Sequence, residues 1–154
     1  MEAAALLNPA FLVLVIAAAA KAYAERANRP MDWASAFLVP PLVLHRPTRD
    51  ALPRDVRTHL STWLQRHPLV RAGFPERAAD IAPFVREALR FGLRHRVLTV
   101  EEGRLVVALD AVGEPVDATE EVRACIRKAS LAGRWLAVSA EHPSTPFALL
   151  GVRP

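Results

Sequence analysis

The sequence predicts a mostly helical α+β fold whose elements follow a winged-helix-like order. Three observations carry this. An apolar stretch of helical make-up, "LLNPAFLVLVIAAAAKAYAER", occupies residues 6–26. Two segments with helical periodicity follow, 54–66 and 77–95. Directly after the second comes a β-branched hairpin signal, "VLTVEEGRLVVAL", at 97–109. Helices leading into a hairpin wing is the winged helix-turn-helix order, here with an extra apolar helix at the front, and with a helix and short strand behind. With 154 residues, 52% of them hydrophobic, a single domain over 1–154 is expected. It is large enough to bury a core, and its winged-helix-like part covers about 50–110.

The first helix is expected to begin at Asn8-Pro9. Asn8 can cap free backbone N–H groups, and Pro9 suits the first helical position because its missing N–H has no partner to lose. The apolar run from Pro9 to Ala20 rises only ~18 Å, short of a ~30 Å hydrocarbon core. The single charge before it is Glu2, so it lacks the positive leader of a secretion signal. A buried core helix in a cytoplasmic protein is the reading, and the small side chains of 17–20 allow a neighbour to approach closely. "ANRPMDW" then breaks the helix at 28–30. Asp32 is expected to cap a short helix, "WASAFLV", that stops before Pro40-Pro41. "LVLH" (42–45) reads as a short extended or helical piece, and "RPTRDALP" (46–53) as a polar turn.

In the helix expected at 54–66, Val56, Leu60, Trp63 and Leu64 share one face. "HPLVRAGFPE" (67–76), with Pro68, Gly73 and Pro75, reads as a connector. The long helix at 77–95 places Ile81, Phe84, Val85, Ala88, Leu89 and Leu93 on its apolar stripe. In the hairpin, Glu101-Glu102-Gly103 makes the turn. "DAVGEP" (110–115) is a loop. Asp117 and Glu120 offer a capping box for a helix carrying Val122, Cys125, Ile126 and Ala129, which continues past Gly133 to Trp135. "HPSTP" ends it, and "FALLGVRP" is expected as a short apolar strand.

Little in the chain suggests catalysis. The six glycines form no phosphate-binding loop. His45, His59, His67, His95 and His142 are scattered, with no metal-ligand spacing. Asp55 and His59 stand four apart, which on a helix is more often a solvated contact than an acid–base pair. Ser130, Ser139 and Ser144 lack a nucleophile-elbow context. No enzyme activity, cofactor or metal is expected. The lone Cys125 cannot form an internal disulfide and reads as core.

The charge is more informative. Formal net charge is +4, and of 20 basic residues only Lys21 and Lys128 are lysine. Arg86, Arg90 and Arg94 recur at i, i+4 and i+8 on the helix before the hairpin, with Arg96 just beyond and Arg104 in the hairpin. These five are the candidate partner or DNA contacts. Such a ridge can meet phosphates, or equally an acidic protein surface, and it lacks the Asn or Gln that would read bases. Trp33, Trp63, Phe84, Phe91 and Trp135 fit helical stripes and are expected in the core.

Four phrases in order, "NPAF" (8–11), "LVPPLVLHRPTRDALP" (38–53), "FGLRHRVLTVEEGRLV" (91–106) and "LLGVRP" (149–154), resemble the small middle component of bacterial three-component ABC systems. The doubled Pro40-Pro41 departs from the single proline of that pattern. The resemblance implies a non-enzymatic adaptor or regulatory subunit. It would bridge an SMC/RecN-like ABC ATPase and an effector subunit in defence against phage or other foreign DNA, with at most weak, non-specific DNA contact and no membrane. The alternative from the residues is a stand-alone winged-helix DNA-binding regulator. A small secreted or anchored protein is the third class, and depends on a different reading of the first helix.

Overall fold

Helix α1 (Pro9–Ala27) lies at the centre of the computed structural model, which describes residues 6–108, 115, 117–139 and 142–153. The Asn8 side chain accepts from the Ala10 N–H at 2.8 Å, and Asn28 ends the helix in the left-handed region at φ 56°, a conformation asparagine tolerates. Leu12, Val13, Val15, Ile16, Tyr23 and every residue from 17 to 20 are buried. A helix apolar on nearly every side must be enclosed, and this one is. Among the described residues no helix is long and apolar enough to cross a membrane.

The chief partner of α1 is α6 (Glu120–Ser139), and the two touch through their backbones. A Cβ placed on Gly133 of α6 would stand 2.0 Å from the Ala19 carbonyl oxygen. Ala129 and Ala132 beside it are fully buried, so small residues line both sides of the contact. Helix α5 (Pro68–Arg94) packs on α1 as well, as does the short α2 (Val39–Val43).

A three-stranded antiparallel sheet covers one end of this layer, in the order β1 (Met31–Asp32), β3 (Arg104–Val107), β2 (Leu98–Glu101). The expected hairpin is present, with Leu98 opposite Val107 and Glu101 opposite Arg104. Glu102 and Gly103 both take positive φ, 51° and 77°, the two-residue turn whose twist matches paired strands. Strand β1 was not expected. Met31 is fully buried against Leu105, and Asp32 makes no cap hydrogen bond; its carboxylate faces Arg104 at 3.8 Å instead. A 3-10 helix (Trp33–Phe37) follows, in place of the expected helix running to residue 39.

Four further expectations are corrected. Pro40-Pro41 stand in the first turn of α2 rather than beyond a helix end, where their missing N–H groups cost least. The polar turn at 46–53 is largely helix α3 (Arg46–Ala51), because Arg49 turns inward. Its Nη1 donates to the Val43 carbonyl at 2.8 Å and lies 3.3 Å from Cys125 Sγ, and its Nη2 meets Glu121 at 3.3 Å. The helix expected from residue 54 shortens to α4 (Leu60–Arg66). Asp55 turns its carboxylate to the Arg57 N–H at 2.9 Å, and His59 caps α4 by accepting from the Ser61 N–H at 3.2 Å. The C-terminal strand is instead helix α7 (Thr145–Leu150), which buries Phe147 and Leu150 and ends at Gly151 with φ 73°.

The connector expected at 67–76 is the largest correction, because it forms the first third of α5. Pro75 and Pro83 lie inside that helix. An interior proline costs about 3 kcal/mol, since it denies a hydrogen bond to the carbonyl four residues back. Tertiary burial of Phe74, Ala78, Val85 and Ala88 offsets that cost. Of the stripe read from periodicity, Val85, Ala88 and Leu89 are buried, while Phe84 and Leu93 are exposed. Helix α5 closes with Arg96 N–H on Leu93 O (3.3 Å) and Val97 N–H on Gly92 O (2.9 Å), Arg96 being left-handed at φ 59°. Helix α6 runs through Gly133 as expected, but Thr119 supplies its cap, its Oγ1 accepting from the Val122 N–H at 3.3 Å. The expected loop at 110–115 lies outside the described residues except for Pro115. The order helix, helix, hairpin holds across α4, α5 and the β2–β3 pair, and the winged-helix comparison extends no further than that order.

Irregular segment 52–59 is held by side chains. Trp63 Nε1 donates to the Ala51 carbonyl (2.7 Å) and Trp135 Nε1 to the Thr58 carbonyl (2.6 Å). The two indoles meet edge to face at 5.1 Å, a favourable aromatic geometry. Cys125 is fully buried, and desolvation pushes its thiol up although the Arg49 charge pulls the other way.

Two stability predictions follow from this packing. Replacing Gly133 with valine drives side-chain atoms into the α1 backbone and should lower unfolding free energy by about 3 kcal/mol. Urea unfolding followed by circular dichroism reads it, and an unchanged midpoint would contradict the backbone contact. Arg49→Ala leaves the Val43 carbonyl with only the weak Cys125 thiol as donor (3.8 Å) and empties a buried site, and should cost about 2 kcal/mol by the same measurement. A loss below a few tenths would show that Arg49 does not hold α3 to α6.

Candidate partner-binding site

Helix α5 buries one stripe on the core and leaves both flanks of that stripe open. At about 100° per residue, Ala79, Ala82, Arg86 and Arg90 point to one flank, and Arg77, Asp80 and Phe84 to the opposite one. Each flank borders a recess.

The larger recess is a groove of about 900 Å³ between α5, the 3-10 helix, the hairpin and the segment after α7. Leu89, Leu105 and Phe147 form buried parts of its lining, and small residues Ala78, Ala79 and Ala82 run along its α5 side. Three apolar side chains on it face water: Trp33 is 48% exposed, Val100 47% and Leu93 44%. Trp33 is propped edge-on against Phe37, ring centroids 6.0 Å apart. Among the described residues, Arg86, Arg90 and Arg153 are the charged lining residues, and no carboxylate joins them. Arg90 pairs with Glu87 one turn back on α5. Arg86 and Arg153 have no ion pair among the described residues.

The five arginines singled out from sequence are thus divided. Arg86 and Arg90 stand at the groove; Arg94 and Arg96 are exposed beyond its lining, at the C-terminal end of α5. Arg104 is half-buried on β3 beside Asp32. Sequence reasoning missed Trp33, Val100, Phe147 and Arg153, which come from three separate segments. The one signal was the residue type: Trp33 and Phe84, expected in the core, are exposed, while Trp63 and Trp135 are buried as expected and Phe91 is partly buried.

The smaller recess, about 480 Å³, is lined by Leu6, Leu7, Pro40, Pro41, Leu44, Ile81 and Phe84, with His45, Arg77 and Asp80 as its polar members. Thr48 is fully buried behind it. Arg77 Nη2 donates to Thr48 Oγ1 (3.3 Å) and to the Val70 carbonyl (3.4 Å), and Thr48 Oγ1 lies 2.7 Å from His45 Nδ1. A hydroxyl that accepts from Arg77 has its own proton to give, so Nδ1 of a neutral His45 is the acceptor. Burial holds the His45 pKa below its ordinary value, and the Arg77 charge adds to that. Arg77 Nε is buried without a hydrogen-bond partner among the described residues.

This arrangement suits binding. Among the described residues no three His, Cys, Asp or Glu side chains converge as a metal site. The Asp55–His59 pairing is replaced by separate local contacts: the Asp55 carboxylate lies 3.2 Å from Arg57 Nε, and His59 hydrogen-bonds Ser61.

The family model described as ABC-three component (ABC-3C) system Middle Component 3 matches residues 1–154, and the chain belongs to that family. No curated protein and no solved structure matches it.

The second recess carries a pH expectation. With the folded-state pKa of His45 below the ordinary 6.5, the unfolded chain takes up its proton first as pH falls. Stability from this site is therefore fully present above pH 6.5 and declines below it. Asparagine can accept from Thr48 without titrating. His45→Asn should lose less melting temperature than wild type between pH 7.5 and 5.5, measured by circular dichroism. Parallel losses in the two proteins would contradict a neutral, partly buried His45.

Proposed function

We propose that this middle component is a non-enzymatic adaptor, a single cytoplasmic domain that joins an SMC/RecN-like ABC ATPase to an effector protein. The complex would act in bacterial defence against phage or other foreign DNA. Membership of the ABC-3C family supports a place among protein partners. The observation that carries the adaptor reading is the pair of apolar recesses on opposite flanks of α5. A subunit that lies between two others needs two separate surfaces. Each recess exposes large apolar side chains, Trp33, Leu93 and Val100 on one and Phe84 on the other, and contiguous exposed apolar surface marks interaction sites. The split of the arginine ridge speaks against a base-reading surface: Arg104 is engaged by Asp32 and Arg90 by Glu87, leaving charge without the polar side chains that distinguish bases.

The test is co-expression with the neighbouring ATPase and effector genes. A tagged effector should capture the ATPase when this chain is present and lose it when the chain is omitted. Equal capture without the chain would contradict the adaptor reading. Tight, sequence-selective duplex binding by the chain alone, with no capture, would favour the regulator instead.

A further inference from the structure

We infer that the groove beside α5 receives an acidic amphipathic helix from one protein partner, an inference that rests on the adaptor reading. The groove has a polarity of its own. Its walls are apolar, with Trp33, Leu93 and Val100 left facing water. Among the described residues its lining charges are all of one sign, Arg86, Arg90 and Arg153, with no carboxylate. Arg86 and Arg153 lack a counter-ion among the described residues. The complementary ligand is therefore apolar where it enters and negative where it reaches the edge.

The shape of the groove selects a helix. Its α5 wall extends from Pro75 to Leu93, which at 1.5 Å per residue is about 27 Å, or five turns. Ala78, Ala79 and Ala82 along that wall have only methyl groups, so another helix can approach closely. An amphipathic helix laid there presents apolar anchors at i, i+3, i+4 and i+7 inward, with Glu or Asp on the turns between to meet the arginines. Duplex DNA is a poor match. It carries a charge roughly every 1.7 Å along its axis, against three arginines along the groove, and its phosphates gain nothing from indole and leucine. A second copy of this basic chain would bring like charge to a basic edge.

The experiment uses the full chain, tagged and co-expressed with its gene neighbours, at physiological and high salt. The variants are Arg86→Glu/Arg153→Glu, Leu93→Glu and, off the groove, Arg94→Glu. Thermal unfolding of each free variant checks the fold, and light scattering of the wild type reads self-association. The charge reversal should reduce recovery of one partner at least tenfold, leave the other partner unchanged and melt like wild type. Leu93→Glu should lose the same partner, and Arg94→Glu should behave as wild type. High salt should weaken wild-type capture of that partner. The partner segment cross-linked to the groove should be helical and acidic, and Lys in place of its carboxylates should restore capture by the double variant. If Leu93→Glu unfolds early, the charge reversal decides alone. Capture of both partners by the double variant overturns the inference and leaves the adaptor reading standing. So does a cross-linked segment without carboxylates, or a wild-type dimer that the reversal dissolves. Loss of binding to a 30-base-pair duplex with protein capture intact overturns it too, in favour of nucleic acid. If wild type captures neither partner, both readings fail.

Discussion

The backbone contact between Gly133 of α6 and Ala19 of α1 is the constraint from which the remaining architecture follows. With only 2.0 Å between a would-be Cβ and the facing carbonyl oxygen, the two helices lie as close as their main chains permit. That proximity encloses α1 on one side along the alanines of residues 17–20. The other sides of α1 then have to be covered by α5, α2 and the sheet. Because α1 takes the centre, α5 is left at the periphery, with one buried stripe and two free flanks. The recesses are a consequence of this layering, since neighbouring elements rise beside α5 without closing over it.

Polar side chains complete the structure where regular hydrogen bonding stops. Two indole N–H groups and the Arg49 guanidinium satisfy carbonyls at residues 43, 51 and 58, groups that would otherwise be buried or strained without partners. Arg49 is almost wholly inside, which is tolerable because each direction of its fork finds an acceptor. The His45–Thr48–Arg77 chain does the same between α3 and α5. Here the polar network also forms one wall of the second recess, so a packing device and a surface feature share the same atoms.

Legibility in the sequence tracked how local each determinant is. Helix α1, the second half of α5, the hairpin and the body of α6 were readable because cap residues, periodicity and a turn signal all lie within each segment. The failures have a common cause in tertiary partners. Nothing near Met31 announces that Leu105, more than seventy residues on, pairs with it. Pro75 reads as a breaker until Phe74 and Ala78 are seen to be buried. Arg49 makes 46–53 look like a solvent turn until Cys125 and Glu121 of α6 come into reach. The site behaved likewise: Arg86 and Arg90 were visible as a helical repeat, whereas Trp33, Val100 and Arg153 join them only through folding.

A fixed α1–α6 core that holds one long helix with a different surface on each flank would suit the proposed position between two other subunits. Among the described residues, one flank is apolar with only basic charges on its lining; the other is apolar with a histidine, an arginine and an aspartate. On the proposed adaptor reading, such unlike surfaces would let two partners bind at once without competing for one site. The most direct measurement of this account is a cryo-electron microscopy structure of the complete assembly. The account predicts α5 lying between the two partners, each seated in one recess. Both recesses open to solvent, or both partners bound on a single flank, would contradict it.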